Sequence, residues 1–93
     1  MGKAEEEVLV EQVLDVWRAE TYTNLVQALL DTSIESEAQA PSGKKYRMVS
    51  EGFMDDADSG NLRVMVTAHH EGFGLGSETA GFVISPEGVF VDE

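Results

Sequence analysis

At 93 residues the chain is long enough for one domain with one modest core and leaves little room for a deep pocket. It has no cysteine, which excludes disulfides, thiolate metal sites and cysteine nucleophiles. Eighteen acids against six bases give a net charge of −12, which repels nucleic-acid backbones and anionic membranes, because contacts to both need Lys and Arg.

The N-terminal stretch MGKAEEEVLVEQVLDVW has no long apolar run and is rich in Glu, which argues against a secretory signal. No stretch approaches the ~20 apolar residues of a membrane span. Gly2 follows Met1, but Glu6 stands where myristoylation wants Ser or Thr. The expected location is the cytoplasm.

One domain is expected over residues 1–93. It divides into a helix over about 4–32, a connector over 33–44 and an antiparallel sheet over 45–93. Glu5, Glu6 and Glu7 suit the positive end of a helix dipole. Apolar residues follow at Val10, Val13, Leu14, Trp17, Leu25, Val26, Leu29 and Leu30, in steps that mark one buried helix face. Val8, Leu9 and Val16 widen that face. The helix either runs unbroken from Ala4 to Thr32 or breaks near Thr21, a fair N-cap; the continuous form, kinked at Thr21, is the expectation. Asp31 to Gly43 is polar and small and reads as a flexible connector.

Two strands are predicted in KYRMVSEGFM and NLRVMVTAHH, joined by the turn-rich DDADSG. A third is predicted over Ala80–Ser85. SPEG, Ser85 to Gly88, has Pro and Gly where a type I turn wants them, and VFVDE makes a short last strand. The fold class is α+β: one long N-terminal helix on one face of a three- or four-stranded antiparallel meander.

Alternation sets the register. If opposed residues of the first hairpin sum to an odd number, one face collects Val49, Phe53, Leu62, Val64, Val66 and Ala68, the natural seat for the helix. Glu51 is a misfit there. The other face then carries Tyr46, Met48, Met54 and Met65 with few charges, and stays uncovered. An exposed apolar patch of this kind marks an interface, with a two-fold dimer as the commonest solution.

His69 and His70 are the candidate metal residues, but adjacent strand residues point to opposite faces and cannot easily share one ion. DDADSGN approaches a calcium loop, yet Gly60, Asn61 and Thr67 stand at three positions that need other residues. EGFGLGS alternates glycines with no Lys after them, so it reads as a loop anchored by Phe73 and Leu75, able to line a small pocket at the sheet end. Ser77 lacks the flanking glycines of a nucleophile elbow.

The segments FMDDADSGNLRVMV and FVISPEGVFVDE resemble a loose group of small uncharacterised bacterial α+β proteins. The shared look is an acidic hairpin loop, an Arg-Val strand and a Pro-x-Gly-x-Phe-Val close, over the C-terminal half only. The resemblance implies a meander and no activity.

The resulting expectation is an acidic, self-associating, non-enzymatic domain that needs no cofactor. It binds a protein partner or a small apolar ligand, and neither nucleic acid nor membrane. Its candidate contact residues are Tyr46, Met48, Met54, Met65, His69, Phe73 and Leu75. One alternative is a metal-dependent or acid/base enzyme using His69 and His70. Another is an acidic decoy for nucleic-acid-binding proteins.

Overall fold

The computed structural model describes residues 5–56, 58–70 and 77–91. In chain order these form α1 (Glu5–Arg18), α2 (Tyr22–Leu29), β1 (Thr32–Gln39), β2 (Lys45–Asp56), β3 (Asn61–His70), β4 (Ser77–Ile84) and β5 (Phe90–Val91). The five strands form one antiparallel meander in sequence order. Both helices pack on one face of it, α1 over β3 and β4, and α2 mainly over β2. The α+β class and the antiparallel sheet agree with the sequence reading.

Three expectations are corrected. The helix is not continuous. Its first segment ends with Glu20 N–H donating to the Trp17 carbonyl at 3.0 Å, a tightened last turn. Thr21 then takes an extended conformation and accepts the Asn24 N–H at 3.1 Å, capping a second helix. Tyr22 hydroxyl, donating to the Gly60 carbonyl at 2.6 Å, ties that helix to the β2–β3 turn.

The supposed connector contains β1, a fully paired edge strand, so the sheet has five strands. Its burial is nearly uniform and low, which hides it from hydropathy. Ala40 to Lys44 is the hairpin turn between β1 and β2. The Gly43 N–H donates to the Ala40 carbonyl at 2.8 Å, with Gly43 at φ +92°. Pro41 and Gly43 occupy the same turn positions as Pro86 and Gly88.

The register of β2 on β3 is even, not odd: Met48 opposes Ala68, Ser50 opposes Val66 and Gly52 opposes Val64. The helix-side face therefore holds Tyr46, Met48, Ser50 and Gly52 with Leu62, Val64, Val66 and Ala68. The reason is the close approach of both helices. A side chain at Gly52 would stand 2.8 Å from Leu29 Cβ. Ser50, 4 % exposed, accepts the Trp17 indole N–H at 3.0 Å. Leu14, Leu25 and Leu29 complete the core with full burial, each worth about 1.5–3 kcal/mol. Val8 and Val16 do not join it; they are 40 % and 63 % exposed.

Asp31, between α2 and β1, has φ +56° while its N–H donates to the Gly52 carbonyl at 3.0 Å. Asp tolerates this left-handed conformation and β-branched residues do not. Asp31→Val is expected to be about 1–2 kcal/mol less stable than Asp31→Gly, read from urea midpoints.

Candidate functional site

Two surfaces stand out, one on each side of the sheet. The first is the sheet face away from the helices. It carries Val49, Glu51 and Phe53 from β2, Arg63, Met65, Thr67 and His69 from β3, and Thr79, Gly81 and Val83 from β4. No element among the described residues covers it. Phe53 is 42 % exposed and Val91 37 %, whereas Val83 is buried. Thr67 and Thr79 share a hydroxyl–hydroxyl bond of 3.0 Å. Met65 lies over Gly81, where a side chain would meet its sulfur at 2.5 Å.

Charge is unevenly divided between this face and the rest. Glu35, Glu37, Glu51 and Asp55 stand on it with Lys45, Arg47 and Arg63, four acids and three bases, a net −1. Among the other residues whose side chains are described, ten acids and two bases leave −8 elsewhere. Arg47 pairs with Glu35 at 3.5 Å and Arg63 with Asp55 at 2.8 Å. Exposed pairs of this kind add little stability, but they neutralise the face.

The second surface is a cavity of about 680 Å³ between the start of α1 and the β1–β2 turn. Val8, Leu9, Ala40 and Pro41 give it apolar walls, and Glu5 stands among the lining residues. Glu5 is fixed from two sides. Its Oε2 accepts the Tyr46 hydroxyl at 2.7 Å and the Ser42 hydroxyl at 3.0 Å. Glu6 Oε2 also lies 3.0 Å from the Tyr46 hydroxyl, so one phenolic hydrogen faces two carboxylates.

These bonds shift both partners. The Tyr46 hydroxyl, then that of Ser42, hold Glu5 below the usual carboxylate range, against a smaller opposing effect of burial. Glu5, burial and Glu6 together push the Tyr46 phenol well above its ordinary value. The lowered carboxylate contributes stability above its unfolded pKa of about 4.3, lost as pH falls through the folded value. The raised phenol contributes below its unfolded pKa of about 10, lost as pH climbs through the folded value. The difference in melting temperature between the parent and Tyr46→Phe is thus expected to be widest from about pH 5 to 10 and to narrow on both sides. A difference independent of pH would remove the Glu5 contact from the account.

No protein-family model matches the chain, and neither a curated protein nor a solved structure matches it.

The structure distributes the sequence candidates as follows. Tyr46 and Met48 lie beneath the helices, 3 % and 1 % exposed, and belong to the core instead of an open face. Met54 is on the helix side, near the sheet end, and 40 % exposed. Met65 and His69 are on the open face, where His69 opposes Arg47 and Ser77. His70 is on the helix side, its ring 5.3 Å from that of Tyr46 and its Nδ1 buried without a hydrogen-bond partner among the described residues. His69 and His70 thus occupy opposite faces. Among the described residues no three His, Asp or Glu side chains converge as a metal site. Phe73 and Leu75 lie outside the described residues. Among those described, no helix is long and apolar enough to cross a membrane.

Sequence reasoning missed Glu5, Ser42 and Val8 as a group. They meet only because the β1–β2 turn folds back to the start of α1. The available signal was the Pro-Ser-Gly turn at 41–43, which implies a strand on either side of it.

Proposed function

We propose that this chain is a small acidic module that self-associates as a two-fold dimer through the open face of its sheet, in a binding role without catalysis of its own. The observation that carries this reading is a near-neutral face, covered by no element among the described residues, on a chain of charge −12. Two copies meeting through the helix side set its excess of acids against itself. Two copies meeting through this face bring −1 against −1, and acids of one can match bases of the other. Phe53, Val49, Met65 and Val91 supply apolar area. Five strands averaging eight residues span on the order of 500 Å² in projection, the same scale as the ~800 Å² per partner of a standard interface.

The test is the solution mass by light scattering on a sizing column. Twice the chain mass of 10.1 kDa is expected. The dimer is also expected to tighten between low salt and about 0.5 M, because salt screens the repulsion between the acidic remainders. A monomer at every salt concentration would sink the proposal.

A second reading draws on the same charge division. The acidic remainder of the surface suits a decoy for a basic nucleic-acid-binding protein. That partnership weakens with salt, the opposite direction to the dimer, so one salt series separates the two.

A further inference from the structure

We infer that the cavity at the start of α1 is a binding site for a small organic cation: an ammonium group carrying an apolar body. The inference stands apart from dimerisation, since the cavity lies on the helix side of the sheet. Its volume of about 680 Å³ falls within the 300–1,000 Å³ common for small-molecule sites. The walls from Val8, Leu9, Ala40 and Pro41 offer an apolar body contact. Val8 is 40 % exposed although it is apolar and sits mid-turn in a helix whose next two residues, Leu9 and Val10, are buried. A bound hydrocarbon would cover it.

The charge of the occupant follows from Glu5. Its carboxylate lines the cavity already oriented, because Ser42 and Tyr46 hold Oε2. Oε1 takes no hydrogen bond from the described residues. An oriented, ionised carboxylate beside an apolar wall recognises a donor of positive charge and rejects an anion. Glu6 on the same phenol adds a second negative charge, set against the Lys44 charge that acts on Glu5. The excess of acids over the whole chain raises the local concentration of any cation. A neutral alcohol can donate a hydrogen bond to Glu5 but brings no charge to it, and a carboxylate of the same length is repelled.

Amide NMR on the whole chain tests this with three probes of equal length: hexylammonium, hexanol and hexanoate. Hexylammonium is expected to give saturable shifts centred on Val8, Leu9 and Gly43. Hexanol is expected to bind about tenfold more weakly, as fits the loss of one charge-assisted bond. Hexanoate and plain ammonium chloride are expected to leave these amides in place. Glu5→Gln is expected to weaken hexylammonium about tenfold, but it also disturbs the Tyr46 bond. Val8→Lys supplies the second arm. Position 8 is exposed, so the fold is kept, and the new side chain brings its own ammonium to the cavity. It is expected to abolish the saturable shifts, while Met65→Glu is expected to retain them. Equal affinity for hexanol and hexylammonium, shifts spread over the acidic surface, or unchanged binding in Val8→Lys would each overturn the assignment.

Discussion

Gly81→Ala is expected to destabilise the chain by about 3 kcal/mol, the upper end of what overpacking costs. Against the ~5–15 kcal/mol typical of a small domain, that is a large fraction of the whole. Gly81 lies on β4 opposite Met65, and a Cβ there would collide with the Val64 backbone carbonyl and with Met65 Sδ. The sulfur can move, since methionine is flexible. The carbonyl cannot move without breaking the pairing of β3 with β4, the central joint of the sheet. Urea denaturation of Gly81→Ala beside Thr79→Ala provides the measurement. Thr79 is exposed on the same strand, and its substitution is expected to stay within about 0.5 kcal/mol. The double variant Gly81→Ala with Met65→Ala separates the two obstacles. Recovery to the level of Met65→Ala would place the whole cost in the sulfur contact; persistence of most of the loss places it in the carbonyl.

That glycine illustrates what hydropathy conveys and what it conceals. The alternation of Leu62, Val64, Val66 and Ala68 is unmistakable in the sequence, and β3 takes those residues to the core. Its neighbour β2 is harder. Its inner face runs from Tyr46 through Met48 and Ser50 to Gly52, from large to small, and at Gly52 Leu29 of α2 leaves no room for a side chain. Small residues beneath a helix look like solvent-facing residues when counted for hydrophobicity. The odd register follows from that count and forces Glu51 into the core, a cost that the even register avoids by placing Glu51 on the open face against Ser33 and Met65. A buried carboxylate without a partner was the stronger signal.

The two hairpin turns make a parallel case. Ala-Pro-Ser-Gly and Ser-Pro-Glu-Gly share the same pattern, and both close with a glycine N–H on the residue three earlier. Only the second was legible as a turn, because apolar strands flank it. Before the first lies β1, where Glu35 and Glu37 alternate with Ile34, Ser36 and Ala38. The period of two is there, but with one large apolar residue it carries little hydrophobic signal. An edge strand needs less, since acids on it also deter pairing with another chain. The helix break at Thr21 is similar: its cap chemistry is local and visible, while the choice between kink and break depends on the turn at Gly60, which Tyr22 reaches across the fold.

Met65→Glu is expected to return the proposed dimer to a monomer. Met65 sits midway along β3, the central strand of five, so it lies near the middle of the open face. A two-fold axis through that face brings both copies of residue 65 close together. Two carboxylates then face each other in a desolvated centre, where an unpaired charge costs about 3 kcal/mol, more than a hundredfold in Kd. In the monomer the same glutamate can extend into water over Gly81, so folding is expected to survive, as circular dichroism and the urea midpoint would register. Met54→Glu is the matched control. It adds the same charge to a 40 % exposed methionine on the helix side, outside the proposed contact. Its mass should remain that of the parent. If Met54→Glu dissociates the assembly and Met65→Glu does not, the contact lies on the helix side and the near-neutral face is free for a different partner. If both dissociate it, added charge alone is sufficient, and the dimer is held by little more than the balance between apolar area and the repulsion of two acidic chains.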